Sequence, residues 1–193
     1  VTASSLITYP TNVNNTFQDG FTNVSYAGSQ GTLGWSGNWT EVGDDGNVAA
    51  GTIVVLADGL NTNVVDFHNS GASLVRPANL SSNRQAILTF NYRRQALDTA
   101  GDYLQIWVSN GVTRTQAEVS RIAGPTNDAT YQVSSNIDIS AYISATTSVR
   151  FTSVGMGPND YIYIDNAQIA AEKRIVITNS AAGAPPNLAS GYT

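Results

Sequence analysis

Short runs in which apolar and polar residues alternate recur along the chain and predict β-strands. Each run is rich in β-branched or aromatic residues and is bounded by Gly, Asn, Asp or Pro, which favour turns. The runs occupy residues 51–57, 63–68, 86–94, 102–110, 148–154 and 161–169. Helical periodicity is nearly absent, and the one candidate, residues 139–145, is too short to form a layer. We therefore predict an all-β fold, an antiparallel β-sandwich of the jelly-roll type with about 10–13 short strands.

Alternation also assigns side chains to faces, because successive residues of a strand point in opposite directions. The core set of the run 102–110 is Leu104, Ile106 and Val108, and that of the run 86–94 is Ala86, Leu88, Phe90 and Tyr92. Tyr103, Gln105 and Trp107 are left on the opposite face as candidate ligand-binding residues. Stacking on an aromatic ring is a common way to hold a sugar ring or an apolar side chain. The structural alternative is that a loop or a second sheet covers Trp107.

The composition indicates one ordered domain with an acidic balance. Of the 193 residues, 41% are hydrophobic and 12% are charged, which is typical of a packed chain and not of a disordered one. Fourteen acidic residues against nine basic ones leave no electropositive surface for a phosphate backbone, so we exclude nucleic acid as a partner. The absence of cysteine excludes disulfides, zinc–thiolate sites and a cysteine nucleophile.

The two ends of the sequence differ from its centre. We predict that residues 1–178 form a single ligand-binding domain and that residues 179–193, rich in Pro, Ala and Gly, form a linker or C-terminal arm toward neighbouring modules. The start lacks the features of a signal peptide, and no apolar run is long enough to insert into a membrane. We expect a fragment of a longer, secreted or cell-surface protein. The end of the arm, with Tyr192 and the Thr193 carboxylate, is a candidate for self-association through the site of a second copy.

Catalysis finds little support in the residue pattern. The single histidine, His68, lies in a strand-like run, and no serine lies in a Gly-x-Ser-x-Gly turn. A glycosidase needs two carboxylates across a cleft, a role that aspartates can also fill, so this pattern does not decide the matter alone. We predict that the protein is not an enzyme.

Turns rich in Asp, Asn and Gly point to calcium, a hard cation that binds about 6–8 oxygen ligands. No contiguous calcium-loop motif is present, so a site has to be assembled from separate loops. The qualifying turns contain Asp19; Asp98 and Asp102; and Asn159, Asp160, Asp165 and Asn166. Alternation from Tyr161 places Asp165 on a strand, where a carboxylate is costly unless paired or metal-bound, and leaves Asp160 in the preceding loop. The sequence DDGN, residues 44–47, is expected to form a plain turn.

Several segments together resemble a known class of extracellular module. They are FQDGF with YAGSQGTLGWSGNW, SLVRPANLSS, ILTFNYRRQALDTAGDYLQIWVSNG, and SVRFTSVG with NDYIYIDNAQI. In this order, over about residues 15–170, the sequence resembles the MAM-like or jelly-roll modules of large secreted bacterial proteins. More narrowly, it is similar to the calcium-dependent peptide-binding domains near the C-terminal end of giant RTX adhesins.

This resemblance implies calcium at two places. Asp165 and Asp19 match aspartates that commonly lie near a structural cation in MAM-like modules. Asp102, Asn159 and Asp160 match the loop oxygens that would hold a surface calcium next to the ligand in the adhesin domains. The disulfides of animal MAM domains are absent, so their cell-adhesion function is not carried over.

The resemblance further implies a bacterial adhesion module that captures an extended peptide, or its free C-terminus, on a target-cell surface. Arg93 and Arg94 are then expected to contact the ligand carboxylate through bidentate hydrogen bonds. Asp98, in the adjoining loop, is a further candidate ligand-binding residue.

Two other interpretations remain open at this point. In the first, the domain is a carbohydrate-binding module that stacks sugars on Trp107, or on Trp35 and Trp39 in LGWSGNW. In the second, it is a spacer that binds calcium but no ligand.

Overall fold

The fold is a sandwich of two antiparallel sheets. A computed structural model describes residues 14–61, 63–111 and 116–173, and these form twelve strands and one 3₁₀ turn, Ser140–Tyr142. The seven-stranded sheet contains β1 (Asn14–Asp19), β3 (Ile53–Leu56), β4 (Val64–His68), β6 (Asn83–Gln95), β9 (Gln132–Val133), β10 (Ile137–Asp138) and β12 (Tyr161–Lys173). The five-stranded sheet contains β2 (Thr40–Val42), β5 (Ser73–Ala78), β7 (Tyr103–Ser109), β8 (Gln116–Ala123) and β11 (Thr147–Val154). The predicted all-β sandwich is confirmed.

Strand β12 organises the seven-stranded sheet because it pairs along both of its edges. One edge pairs with β6 over its whole length, with a bulge after Asp165. The other edge pairs first with β4, at residues 161–164, and then with β1, at residues 167–172. The order of this sheet is β10-β6-β12-β4-β3, with β9 also on β6, and the order of the other sheet is β2-β5-β11-β7-β8.

The core lies between the inner faces of the two sheets. Its fully buried residues include Leu104, Ile106 and Val108 of β7 and Ala86, Leu88 and Phe90 of β6. Phe90 meets Phe151 of β11 edge to face, with ring centroids 5.3 Å apart, so rings from the two sheets interlock. Tyr92 packs against the margin of the core. Both core sets predicted from alternation are therefore confirmed.

A buried ion pair crosses this core. Asp19 ends β1 in one sheet, Arg76 lies on the inner face of β5 in the other, and Asp19 Oδ2 is 2.5 Å from Arg76 Nη1. Trp39 Nε1 donates to the same oxygen at 3.0 Å, and the guanidinium carbon lies 4.7 Å from the Trp35 ring centroid. A guanidinium that is stacked on indoles and paired with a carboxylate is satisfied away from water. The pair therefore connects the two sheets.

Strand β5 was not among the predicted runs. Pro77 argues against a strand because proline has no N–H to donate to the ladder. Strand β2 pairs with β5 only at residues 73–75, so Pro77 lies beyond the paired part of that edge. The helix candidate, residues 139–145, contains only the short 3₁₀ turn. None of the described residues forms a helix with the length and hydrophobicity needed to span a membrane.

Some predictions concern residues outside the described ones. The proposed boundary between residues 1–178 and residues 179–193 lies within residues 174–193, which the structure does not describe. The arm that was expected to bind a second copy through Tyr192 and Thr193 lies there too. These statements stay predictions.

Candidate ligand-binding site

The outer face of the five-stranded sheet presents the residues that alternation placed outward on β7. Tyr103, Gln105 and Trp107 are half-buried there, on the side opposite the core. Across the ladder to β11, Trp107 lies opposite Arg150 and Gln105 lies opposite Thr152. The seven-stranded sheet packs on the other face of β7, so it does not cover Trp107.

A shallow groove of about 150 Å³ lies beside Trp107. Its lining includes Val75, Trp107, Ser109, Gln116, Ser148 and Arg150. The groove thus combines an indole, an aliphatic side chain, hydroxyl groups and a guanidinium. Arg150 Nη2 donates to Ser73 Oγ at 3.0 Å, whereas Arg150 Nε is buried without a hydrogen-bond partner among the described residues. Arg150 therefore lines the groove with one hydrogen bond to the protein and with no carboxylate partner among the described residues.

A hydrogen-bond network holds the side chains along β7 in place. Gln105 Nε2 donates to Glu118 at 2.8 Å, and Trp107 Nε1 donates to Gln105 Oε1 at 3.3 Å. Arg121 donates to both oxygens of Glu118, at 2.7 and 3.0 Å, and its guanidinium lies 4.0 Å from the Tyr103 ring centroid. The hydrogen bond from Arg121 is the main reason that the pKa of Glu118 is lowered. The outward side chains are therefore oriented before a ligand binds.

Three carboxylates meet in the loops that lead into β7 and β12. Asp98, Asp102 and Asp160 place one oxygen each within 4.8 Å of one another. Thr99 fixes Asp102, because its N–H and Oγ1 donate to Asp102 Oδ2 at 2.8 and 2.9 Å. The N–H of Gly157 donates to Asp160 Oδ2 at 2.6 Å. Two turns that the sequence singled out for calcium thus come together.

Mutual proximity changes the pKa values of these carboxyl groups. The hydrogen bond and the charge of Asp102 raise the pKa of Asp98. Burial acts to raise the pKa of Asp102, but the hydrogen bonds from Thr99 outweigh it and lower that pKa. Carboxylates this close repel one another unless a proton or a cation lies between them. Asn159 is exposed in the same turn as Asp160.

The two arginines expected to contact a ligand carboxylate have carboxylate partners inside the domain. Arg94 donates from Nε and Nη2 to the two oxygens of Asp128, at 2.8 and 2.9 Å. Arg93 Nη2 lies 3.2 Å from Asp58 Oδ2, and its guanidinium carbon lies 4.3 Å from the Tyr163 ring centroid. Arg93 is only 8% exposed. This geometry argues against the ligand role of both arginines, because their planar forks are already occupied.

Trp39 and Asp19 belong to the core, and Trp35 is partly buried and packs against it. Trp39 is 3% exposed, and its ring centroid lies 5.9 Å from that of Trp35, so both indoles are used in packing. Asp19 is fully buried, and its oxygens accept hydrogen bonds from Arg76, Trp39 and a backbone N–H. Arg76 supplies the positive charge that the sequence assigned to a cation. Of the three tryptophans, Trp107 is the one that lies on an outer sheet face, and the geometry does not support a metal role for Asp19.

Asp165 lies where a bulge interrupts β12. Asn166 adopts a φ of 50° there, and its N–H donates to Asp165 Oδ1 at 2.6 Å. Asn61 Nδ2 donates to the other oxygen at 3.0 Å. Burial raises the pKa of Asp165 to about 6; the Asn166 hydrogen bond opposes this shift, and the charges of Asp58 and Asp19 add to it. Among the described residues Asp165 has no cationic partner, so its role as a ligand of a structural cation stays a prediction.

Arg150 lines this groove but was not among the candidate residues predicted from the sequence. The sequence could have predicted that its side chain points outward, because Arg150 alternates with the buried Val149 and Phe151 in the run 148–154. The sequence could not predict that Arg150 lies beside Trp107, because this position depends on which strands are neighbours in the sheet.

A further acidic group lies in the turn that was expected to be plain. Glu41, Asp44 and Asp45 place one carboxylate oxygen each within 4.8 Å of one another. Asp44 Oδ2 accepts hydrogen bonds from the N–H groups of Thr52 and Ile53, both at 2.7 Å. These bonds tie the turn to β3, so Asp44 has a structural role.

Comparisons with known proteins agree with this architecture. No protein-family model and no curated protein matches the sequence. Among solved structures, the K2 cleaved adhesin domain of Lys-gingipain is 15% identical, with a TM-score of 0.51 over 80% of this chain and 97% of that chain. The chain shares its β-sandwich fold. The xylan-binding module CBM15 is 17% identical, with a TM-score of 0.50 over 74% and 96% of the two chains.

A third solved structure also has a similar fold and a low sequence identity. The CBM22-1 xylan-binding domain of Xyn10C from Paenibacillus barcinonensis is 12% identical, with a TM-score of 0.50 over 78% of this chain and 93% of that one. At these identities the likeness is one of fold. The predicted resemblance to an adhesin module is therefore confirmed for the fold, whereas membership of the RTX adhesins and calcium dependence stay predictions.

Proposed function

We propose that this domain is a non-catalytic module of a secreted or cell-surface protein and that it binds a glycan on the outer face of its five-stranded sheet. The observation that carries the proposal is the groove beside Trp107, where an indole, a guanidinium and hydroxyl groups lie together. Sugars are held by stacking on aromatic rings and by hydrogen bonds to their hydroxyl groups. This face offers both. The sandwich fold, shared with adhesin and xylan-binding domains, supports a binding role in an extracellular protein.

The arrangement of β7 favours an extended ligand. Tyr103, Gln105 and Trp107 lie in a row that is about 14 Å long, given the rise of a strand. A chain of sugars along β7 contacts them in series, with Trp107 in the groove and the carboxylates of Asp98 and Asp102 near the other end of the row. Asp98 is then a proposed contact of the ligand at that end.

Binding to a panel of soluble polysaccharides by affinity gel electrophoresis tests the proposal. Trp107→Ala is expected to abolish retardation by every glycan that slows the unmodified domain, whereas Trp107→Phe retains part of it. Val133→Ala is the matched control, since Val133 is 73% exposed on the other sheet. Retardation that Trp107→Ala leaves unchanged would reject the glycan site.

A second candidate function rests on the cluster of Asp98, Asp102 and Asp160. We propose that these carboxylates bind calcium, with Asn159 as a further oxygen ligand, and that the ion assists in capturing an extended peptide as in the adhesin domains that the sequence resembles. Peptides with a free C-terminal carboxylate should then bind in calcium and not in chelator, and amidation should weaken them. Equal binding of free and amidated peptides rejects recognition of the C-terminus.

A further inference from the structure

We propose that Arg150 makes the groove selective for acidic glycans, so that the bound sugar carries a carboxylate, as a hexuronate does. The proposal rests on the glycan-binding function above and names its substrate class. It starts from a contrast among the arginines of the domain.

Arg150 differs from every other arginine in the described residues. Six of the eight arginines lie there, and five of them have a carboxylate within salt-bridge distance. The pairs are Arg76–Asp19, Arg84–Glu172, Arg93–Asp58, Arg94–Asp128 and Arg121–Glu118. Arg150 has only the hydroxyl of Ser73 as a hydrogen-bond acceptor within that part of the chain. A guanidinium is always charged, so the described residues give Arg150 no counter-charge.

The other charges of this face do not compensate Arg150. Glu118 is the acidic residue of the face that lies opposite Trp107 on β8, and both of its oxygens are already bound by Arg121. Gln105 donates to it as well. The described strands of the outer face thus keep one positive charge beside Trp107, whereas Asp98 and Asp102 lie in loops at the other end of the row. The formal net charge of the protein is −5. An anionic ligand gains attraction here that the rest of the surface opposes.

The geometry couples this charge to the stacking ring. Arg150 is the direct cross-strand neighbour of Trp107 on one side and of Val75 on the other. Arg150 lines the groove, and a carboxylate that enters the groove forms a charge-assisted hydrogen bond with the guanidinium, which is stronger than a neutral one. A groove of about 150 Å³ is smaller than the roughly 300–1,000 Å³ that encloses a drug-sized ligand. It therefore suits one charged substituent and the edge of the ring that bears it.

The test compares polygalacturonate with its methyl ester, in which the carboxyl group is esterified and uncharged. Neutral xylan and a sulfated galactan are measured as further ligands. Affinities are measured by titration calorimetry on the whole 193-residue chain. The unmodified domain is expected to bind the acid at least about 10-fold more tightly than the ester, since charge-assisted pairs are worth this much. Arg150→Gln is expected to remove that preference, and Arg150→Lys to keep part of it.

Arg84→Gln is the matched control, because it removes the same charge from an arginine that lies on the other sheet and is 60% exposed. It is expected to keep most of the preference for the acid. If circular dichroism shows that Arg150→Gln does not fold, the ratio of the affinities of the unmodified domain for the acid and for the ester still tests the inference. A ratio near one, tighter binding of the sulfated galactan, or an unchanged ratio in Arg150→Gln overturns the inference.

Failure of this inference is distinguishable from failure of the proposed function. If xylan and the methyl ester bind as tightly as the acid and Trp107→Ala abolishes all three, the glycan site stands and only the selectivity is wrong. If no glycan binds, but a peptide with a free C-terminal carboxylate does and depends on Arg150, both proposals are wrong.

Discussion

Asp19 Oδ2 and Arg76 Nη1 lie 2.5 Å apart in the core, where they join the last residue of β1 to the opposite sheet. Both side chains are almost completely buried, and burial lowers the pKa of Arg76 while Asp19 opposes that shift. The pair occupies the place where the sequence suggested a cation.

Replacing one partner of this pair is expected to destabilise the domain strongly. Arg76→Met leaves a buried carboxylate without compensation, and breaking such a pair costs about 3–5 kcal/mol of unfolding free energy. Arg84→Met is the control, because its pair with Glu172 has an arginine that is 60% exposed and should be worth at most about 1 kcal/mol. Denaturation with urea measures both. Equal losses for the two variants would contradict the assigned role of Arg76.

The stability of the domain should fall between about pH 4 and pH 6 in the presence of chelator. Burial raises the pKa of Asp165 from 3.8 to about 6, and burial likewise raises that of Asp66 to about 6. Because the folded protein holds this proton more tightly than the unfolded chain, the protonated carboxyl group contributes to the unfolding free energy. This contribution is fully present below pH 3.8 and is lost as the pH rises through about 6. For the half-buried Asp165 we expect a loss of about 1–3 kcal/mol over this window.

Asp165→Asn removes one of these two titrating groups. The variant is expected to show a visibly flatter dependence of unfolding free energy on pH between 4 and 6, while the part due to Asp66 persists. If the profile of Asp165→Asn superimposes on that of the unmodified domain, Asp165 does not titrate as described.

Calcium is expected to raise the thermal midpoint. An ion that binds only the native state at 100 times its dissociation constant adds about 2.7 kcal/mol, which corresponds to about 5–10 °C for a domain of this size. If the cluster at the start of β7 binds the ion, Asp102→Asn abolishes the shift. If a structural cation lies at the bulge, Asp165→Asn abolishes it instead. An unchanged midpoint with and without chelator would remove calcium from both places.

Alternation was sufficient to predict the sandwich, its core and the outward row on β7, because these depend on neighbours in the sequence. It placed Trp107 outward, and it separated Asp165 on its strand from Asp160 in its loop. Partners far apart in the sequence were beyond its reach. Asp19 and Arg76 are 57 residues apart, and nothing local in FQDGF or SLVRPA signals that they meet.

The same limit applies to the arginines. Arg93 and Arg94 are adjacent in a strand, and for this reason they were predicted to contact a ligand carboxylate. Their acceptors in the structure are Asp58 and Asp128, which come from loops whose position only the fold determines. Arg150 was passed over because strand order brings it beside Trp107.

Substitution of Arg94 distinguishes a structural role of this side chain from a ligand-binding role. Its guanidinium makes two hydrogen bonds to Asp128 and a third to the carbonyl oxygen of Ala123, which connects β6 to the end of β8. Arg94→Ala should therefore lower the unfolding free energy by about 1.5–3 kcal/mol, as expected for hydrogen bonds to a charged group. Arg94→Lys should recover only part of this loss, because an ammonium cannot reproduce the bidentate geometry. Ligand affinity, measured well below the unfolding midpoint of each variant, should be unchanged in both. A variant that keeps its stability but loses binding of a peptide carboxylate would restore the role that the sequence first suggested for this arginine.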